Sequence, residues 1–267
     1  MQVIGCQFDI AWQDKATNHE RVAALLERAD VEPGALIVLP EMFATGYSMN
    51  VDEIHEDDSG PTHRFLAELA QRHGAFVLGG VVTRDASSGK GRNEAVVFDP
   101  AGRPIARYAK MRPMTVAGEA DSYQAGRQVV TFPWHGATVA PLICYDLRFP
   151  ELFRAAARQG AQLYAVIASF PAVREHHWLT LLTARAIENQ AYVIGVNRCG
   201  RDPKLEYTGR SIIVDPRGQV LADAGEREGI VQARIDLAEL QAYRQRFPAL
   251  LDMRDDDVDL AGRPACQ

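Results

Sequence analysis

Four cysteines in 267 residues, at positions 6, 144, 199 and 266, are too sparse for a disulfide framework. None has the Cys-x-x-Cys spacing used for zinc or dithiol chemistry, so four thiols are expected and no metal site. No apolar run approaches the roughly 20 residues that span a bilayer, and Met1-Gln2-Val3-Ile4 enters strand-like alternation without a charged leader or cleavage site. The expectation is a cytoplasmic protein with no membrane partner. Positive charge is not in excess either. The chain has 29 Lys and Arg against 35 Asp and Glu, a formal net charge of -6, whereas nucleic acids and anionic surfaces select basic faces. That disfavours a nucleic-acid partner and leaves a small molecule. Pro/Gly/Ser-rich linkers, low-complexity tracts and short-period repeats are also lacking, which favours a single domain over residues 1–267, with a C-terminal tail from about residue 250 that includes Asp255-Asp256-Asp257 and Cys266. What is present is ordinary globular composition, 47% hydrophobic and 24% charged.

Residues 2–10 alternate, with Ile4, Cys6, Phe8 and Ile10 on one side, so a strand with Cys6 in a structural role is expected. Thr17 and Glu20 have capping-box spacing ahead of Val22, Leu25, Leu26 and Ala29, which predicts an amphipathic helix. Residues 35–39 form a buried strand that runs into Pro40-Glu41, and residues 42–60 are aperiodic and expected as a loop. A helix over residues 62–73 stops at Gly74 and leads to a strand over 75–82. Strands over 93–99 and 104–110 are joined by Asp99-Pro100-Ala101-Gly102, whose Pro and Gly suit a type I turn. Residues 111–126 form a long polar loop containing Glu119, and such loops inside compact domains are more often functional than idle. Further strands are expected over 138–143, 161–169, 192–197, 210–215, 219–222 and 229–235, and further helices over 151–159, 176–190 and 237–246. Strands alternating with helices and interrupted by hairpins define an α/β class with mixed sheets and helices on the outer faces.

Three residues stand at the ends of apolar strands: Glu41, Lys110 and Cys144. Singly, each has a plain reading. Charged residues at strand ends are usually solvated, and a buried cysteine usually behaves as a small apolar side chain. Cys144, however, sits where a strand gives way to what reads as a helix entrance, and a helix N-terminus would lower its pKa and raise its thiolate fraction.

The segments Leu39-Pro40-Glu41-Met42-Phe43, Tyr108-Ala109-Lys110-Met111-Arg112 and Ile143-Cys144-Tyr145-Asp146-Leu147-Arg148-Phe149-Pro150-Glu151 resemble, in sequence and in order, the three signature segments of the nitrilase superfamily, the carbon-nitrogen hydrolases. The runs 184–190 and 94–99 are similar to family segments too, and His177-Trp178 with Tyr47 resemble the ω-amidase branch. The resemblance implies a four-layer αββα sandwich, a homodimer built through the outer helices or a larger even oligomer, and no cofactor. It implies Cys144 as nucleophile, Glu41 as general base and Lys110 as the holder of developing negative charge, with Glu119 the candidate for a second glutamate of the site. In that chemistry the backbone amide of Tyr145 is the natural second donor to a tetrahedral oxyanion. The reaction implied is hydrolysis of the terminal amide of small 2-oxodicarboxylic acid monoamides, such as 2-oxoglutaramate and 2-oxosuccinamate, through a thioester.

Substrate contacts are expected from Tyr47 at the pocket entrance, from Arg174, which either binds a substrate carboxylate or is a solvated loop arginine, and from His177 and Trp178, which either line a pocket wall or pack a helix. Arg148 and Glu151 could bind substrate, but an ion pair between them that fixes the loop after Cys144 is favoured, and Asp146 likewise stands between a structural and a substrate role. His176 and His177 do not make a metal site, because adjacent helical residues point in different directions. The catalytic trio does not choose the acyl group, so amidases for other short acids, N-carbamoyl hydrolases and nitrilases stay open. A non-catalytic oligomeric binding protein that kept the scaffold, and a metal-dependent hydrolase on a similar sandwich, are the readings from other classes.

Overall fold

The computed structural model describes residues 1–254, so the acidic run 255–257 and Cys266 lie outside the described residues. The strands are β1 (Gln2–Gln7), β2 (Leu36–Val38), β3 (Phe76–Arg84), β4 (Gly91–Phe98), β5 (Pro104–Ala109), β6 (Phe132–Trp134), β7 (Ala137–Ile143), β8 (Leu163–Ala168), β9 (Tyr192–Asn197), β10 (Cys199–Arg201), β11 (Glu206–Thr208), β12 (Ile212–Val214), β13 (Val220–Asp223) and β14 (Gly229–Arg234). The helices are α1 (Lys15–Leu26), α2 (Val51–Ile54), α3 (Pro61–His73), α4 (Glu119–Ser122), α5 (Pro150–Arg158), α6 (Glu175–Glu188) and α7 (Leu237–Arg246). Two six-stranded sheets result, in the orders β14-β1-β2-β3-β4-β5 and β13-β12-β9-β8-β7-β6, with β10 and β11 as a separate pair. Both sheets are mixed: β1, β2 and β3 run parallel, as do β7, β8 and β9, and the outer pairings are antiparallel.

The period-two alternation decides which layer each side chain joins. In β1, Ile4 and Cys6 turn outward to a core shared with Val22 and Leu26 of α1 and Leu66 and Leu69 of α3. Val3 turns inward to a second core that holds Leu36, Val38 and Leu78 of its own sheet together with strand β7 of the other. That inner core continues to Phe153 and Ala156 of α5 and Trp178 and Leu182 of α6, which cover the far face of the second sheet. The layers are therefore helix, sheet, sheet, helix.

Several local expectations change in detail. The cap of α1 is Asp14, whose carboxylate accepts the Thr17 N–H at 3.1 Å, so the helix begins at Lys15 and Thr17 lies inside it. The aperiodic stretch 42–60 contains the single-turn helix α2, and the loop 111–126 contains a 3-10 turn over Thr115–Ala117 followed by α4. Strand β6 and the β10–β11 hairpin are additions, each strand three residues long and too short to show a period. The described part of the expected tail begins with a 3-10 turn over Ala249–Asp252, and Arg154 of α5 reaches the Met253 sulfur at 3.5 Å.

Candidate active site

Glu41, Lys110 and Cys144 each follow the end of a strand, β2, β5 and β7 respectively, and the two packed sheets bring those ends together. Glycine makes one of these approaches possible. A Cβ on Gly80 of β3 would lie 2.4 Å from the Met42 nitrogen, 2.6 Å from the Pro40 oxygen and 2.7 Å from the Glu41 Cα, so β3 can pass the Glu41 turn only without a side chain there. Met42 and Cys144 both adopt left-handed backbone conformations, φ 46° and 48°. Such conformations cost non-glycine residues on the order of 1–3 kcal/mol and persist only where the surroundings impose them.

The charged groups form one buried cluster. The Lys110 ammonium donates to Glu41 Oε1 at 2.9 Å and to both Glu119 oxygens at 2.9 Å. Asn93, which the sequence reading missed, donates from one amide nitrogen to Glu41 Oε1 at 2.7 Å and to Glu119 Oε1 at 3.0 Å. The Ser169 N–H donates to Glu41 Oε2 at 2.8 Å, while the Met114 N–H and the Tyr47 hydroxyl donate to Glu119 Oε2 at 2.7 and 2.9 Å. Two carboxylates thus share one ammonium, and dipolar donors satisfy their remaining lone pairs. Burial works to lower the Lys110 pKa, but Glu41 and Glu119 outweigh it and hold it well above its ordinary value. Burial would raise Glu119, yet Lys110, the Met114 N–H and Asn93 hold it below the usual carboxylate range.

Cys144 is only 9% exposed and lines a cavity of about 610 Å³. The expectation of a lowered thiol pKa is overturned. Cys144 opens a five-residue 3-10 turn, Cys144–Arg148, and α5 begins only at Pro150, so the cysteine does not sit at the N-terminus of an α-helix. Burial, followed by the Glu41 charge, pushes the thiol well above its ordinary value, against the opposing pulls of Lys110 and the Ser169 backbone N–H. At rest the sulfur is protonated, with the Glu41 and Glu119 charges close enough to act on it. Cys6 and Cys199 are also buried, but both lie outside the cavity wall.

Tyr47, Lys110, Cys144, Tyr145 and Arg174 all line the cavity. The structure corrects the expectation that Trp178 and His177 touch substrate and favours packing for Trp178. Trp178 is buried beneath the cavity, with its indole N–H donating to the Arg210 carbonyl at 2.8 Å and its ring 5.4 Å from Phe170, so it packs rather than touches a substrate. His177 is exposed outside the cavity wall and meets Arg148 at 3.1 Å through Nδ1. The expected Arg148–Glu151 pair is replaced by Arg112–Glu151 at 3.2 Å, which leaves Arg148 over the Tyr145 and Phe170 rings at 6.0 and 5.5 Å. Arg148, Arg174 and Lys204 thus bring positive charge to the cavity, while the Asp202 carboxylate on the same wall is taken up by the Lys204 and Leu205 N–H groups and the Tyr207 hydroxyl. Among the described residues no group of three or more His, Cys, Asp or Glu side chains is arranged to hold a metal ion.

A nucleophile beside two carboxylates and an ammonium, on a double-sheet sandwich, is an arrangement for acyl transfer from carbon bound to nitrogen. The carbon-nitrogen hydrolase family model matches residues 4–245, and the chain belongs to that family. It is an amidohydrolase of the nitrilase superfamily, similar to the ω-amidase branch. A 2-oxoglutaramate amidase of Bacillus subtilis is 36% identical over 255 residues, which cover 95% of this chain and 98% of that protein. An omega-amidase of Yersinia enterocolitica is 39% identical over 248 residues, covering 92% and 94%. Among solved structures, a CN-hydrolase superfamily protein of Xanthomonas campestris with an arsenic adduct in its active site superposes with a TM-score of 0.89 at 34% identity, covering 97% of this chain and 98% of that one.

Proposed function

We propose that this chain hydrolyses the terminal amide of small 2-oxodicarboxylic acid monoamides, 2-oxoglutaramate and 2-oxosuccinamate among them, through a Cys144 thioester. The observation that carries the reading is the buried Glu41–Lys110–Glu119 cluster set against the cavity that Cys144 lines. The choice of acyl group is supported by the two amidases of 36% and 39% identity, aligned over nearly the whole chain. It is supported too by the half-buried Arg148 and Arg174, which give the substrate carboxylate a cationic wall away from the reacting carbon.

The steps follow from the geometry. Glu41 takes the thiol proton as sulfur attacks the amide carbon, and the carbonyl oxygen becomes an oxyanion facing the Lys110 ammonium and the Tyr145 backbone N–H. Glu41 returns that proton to nitrogen, the C–N bond breaks, and ammonia leaves a thioester. Water then loses a proton to Glu41 and attacks the thioester carbon; the C–S bond breaks, and the proton returns to sulfur. Glu119, held by Lys110, Asn93 and Tyr47, fixes the ammonium in place and keeps a second negative charge beside Glu41, which favours the proton-accepting role. Tyr47 lines the cavity and anchors Glu119 from the substrate side.

The same reading extends to assembly and place: one domain, a homodimer or higher even oligomer, working in the cytoplasm. Exposed Ile187, Phe247 and Leu251, around the outer helices, are apolar side chains that a second copy would cover.

An ammonia-release screen over 2-oxoacid amides, glutamine, asparagine, carbamoyl amino acids and nitriles tests the proposal. The expected result is turnover of the 2-oxoacid amides, with loss of at least about 1000-fold in Cys144→Ala. Ammonia release by folded Cys144→Ala at the parent rate, or a parent inert towards every amide, would refute it.

A further inference from the structure

Asp146 lies two residues beyond Cys144, is fully buried and is absent from the cavity wall. Its Oδ2 accepts the Tyr108 hydroxyl at 2.8 Å and the Ile143 N–H at 3.1 Å, and its Oδ1 accepts the Arg112 N–H at 2.9 Å. These partners are informative by position. Tyr108 and Arg112 stand two residues to either side of Lys110, and Ile143 immediately precedes Cys144. A single carboxylate therefore ties the end of β5 in one sheet to the end of β7 in the other, and each tie lands on a segment that carries a reacting group.

We propose that Asp146 is a positioning residue for the reaction: its carboxylate clamps the Cys144 turn against the Lys110 strand end and so aims the thiol at the carbon whose oxyanion Lys110 holds. This rests on the reading of Cys144 and Lys110 as the reacting groups given above. The left-handed Cys144 backbone needs such a clamp, because nothing in its own conformational preference would keep it there.

The clamp works only with an ionised carboxylate. All three partners donate, and an ionised carboxylate accepts on both oxygens. A proton on Oδ1 would face the Arg112 N–H. A proton on Oδ2 can turn to the Tyr108 oxygen, which also accepts, but the Ile143 N–H then meets a weakened acceptor. An asparagine makes that conflict permanent. The groups that act on the carboxylate are the Lys110 ammonium, the Tyr108 hydroxyl and the two backbone N–H groups. Burial outweighs them and raises Asp146 to about 6, so its protonation falls within the range of an activity profile.

The experiment is kcat and KM against pH for the parent, Asp146→Asn and Tyr108→Phe, on the best amide from the screen, with melting temperatures measured alongside. Asp146→Asn is expected to lose about 100-fold in kcat, the size of effect that small misplacements of reacting groups produce, with KM within about threefold. It also lacks the limb near pH 6 that Asp146 gives the parent. Tyr108→Phe removes one donor that favours the charged form, so its acid limb moves to higher pH. A purely structural role would lower the melting temperature without moving the limb. Folded Asp146→Asn with the parent's kcat, or Tyr108→Phe with an unmoved limb, overturns the proposal, and the second variant decides the matter if the first does not fold. A parent that releases no ammonia from any amide overturns the reaction assignment instead, so the two failures are distinguishable.

Discussion

Replacing Glu119 with glutamine tests the charge arithmetic of the buried cluster. Lys110 sits 2.9 Å from one Glu41 oxygen and 2.9 Å from both Glu119 oxygens, with all three residues almost fully shielded from water. Removing one partner of a buried pair costs about 3–5 kcal/mol when the other charge is left alone. Here Glu41 remains beside Lys110, so the lower end applies, about 3 kcal/mol, or a fall of roughly 6–12 °C in melting temperature for a chain of this size. Activity should fall further. With the full charge of Lys110 directed at Glu41, that carboxylate becomes a poorer acceptor for the thiol proton, and losing general-base function typically costs about 100- to 10,000-fold. The acid dependence carries a sign. Because Glu119 is held below its ordinary value of 4.5, its stabilisation is complete above that pH and is lost as pH falls through the lower folded value. The gap between parent and Glu119→Gln should therefore close in acid. Thermal melts from pH 3 to 8 and ammonia release at saturating substrate read both effects, and a variant melting within about 1 °C of the parent and turning over within about twofold would refute the reasoning.

Gly80→Ala should lose at least about 100-fold in turnover and on the order of 1–3 kcal/mol of stability, since the new Cβ meets only backbone around Glu41 and something there must shift; equal activity would mean that the Glu41 turn has slack. Trp178→Phe should lower stability by about 1–3 kcal/mol by leaving the Arg210 carbonyl without its donor, and should leave KM unchanged. Arg174→Gln should behave in the opposite way, with KM for 2-oxoacid amides raised about 10-fold and the melting temperature unchanged, and a variant with the parent's KM would remove Arg174 from the substrate site.

The strand ends that carry Glu41 and Cys144 were legible as apolar runs that stop at a polar or nucleophilic residue, whereas Lys110 follows the mixed strand Pro104–Ala109 and joins them through its likeness to a nitrilase signature segment. What escaped depends on distant pairing. Asn93 becomes a bridge between two glutamates only because β4 lies between β3 and β5, with its backbone carbonyl accepting the Lys110 N–H at 2.8 Å. The signal available is its place at the start of the 93–99 strand, one residue before the run that is similar to a family segment. The misplacing of His177 and Trp178 has a simpler cause. Neighbours on a helix point about 100° apart, so one motif cannot put both on a single surface, and α6 turns Trp178 inward and His177 out. The thiol environment escaped the sequence because burial around Cys144, which depends on how distant strands and loops close over it, outweighs what the local strand-to-helix pattern conveys.

A thiol that rests protonated is also a thiol that oxidants find slowly. Peroxide acts on thiolates, so sulfenic acid formation follows thiolate character and access. Cys144 is reachable from the cavity, but its thiolate character stays low until a substrate's carbonyl gives its charge somewhere to go. The enzyme should therefore keep its activity in a peroxide pulse that inactivates enzymes with pre-formed thiolates, because its nucleophile exists as such only during turnover.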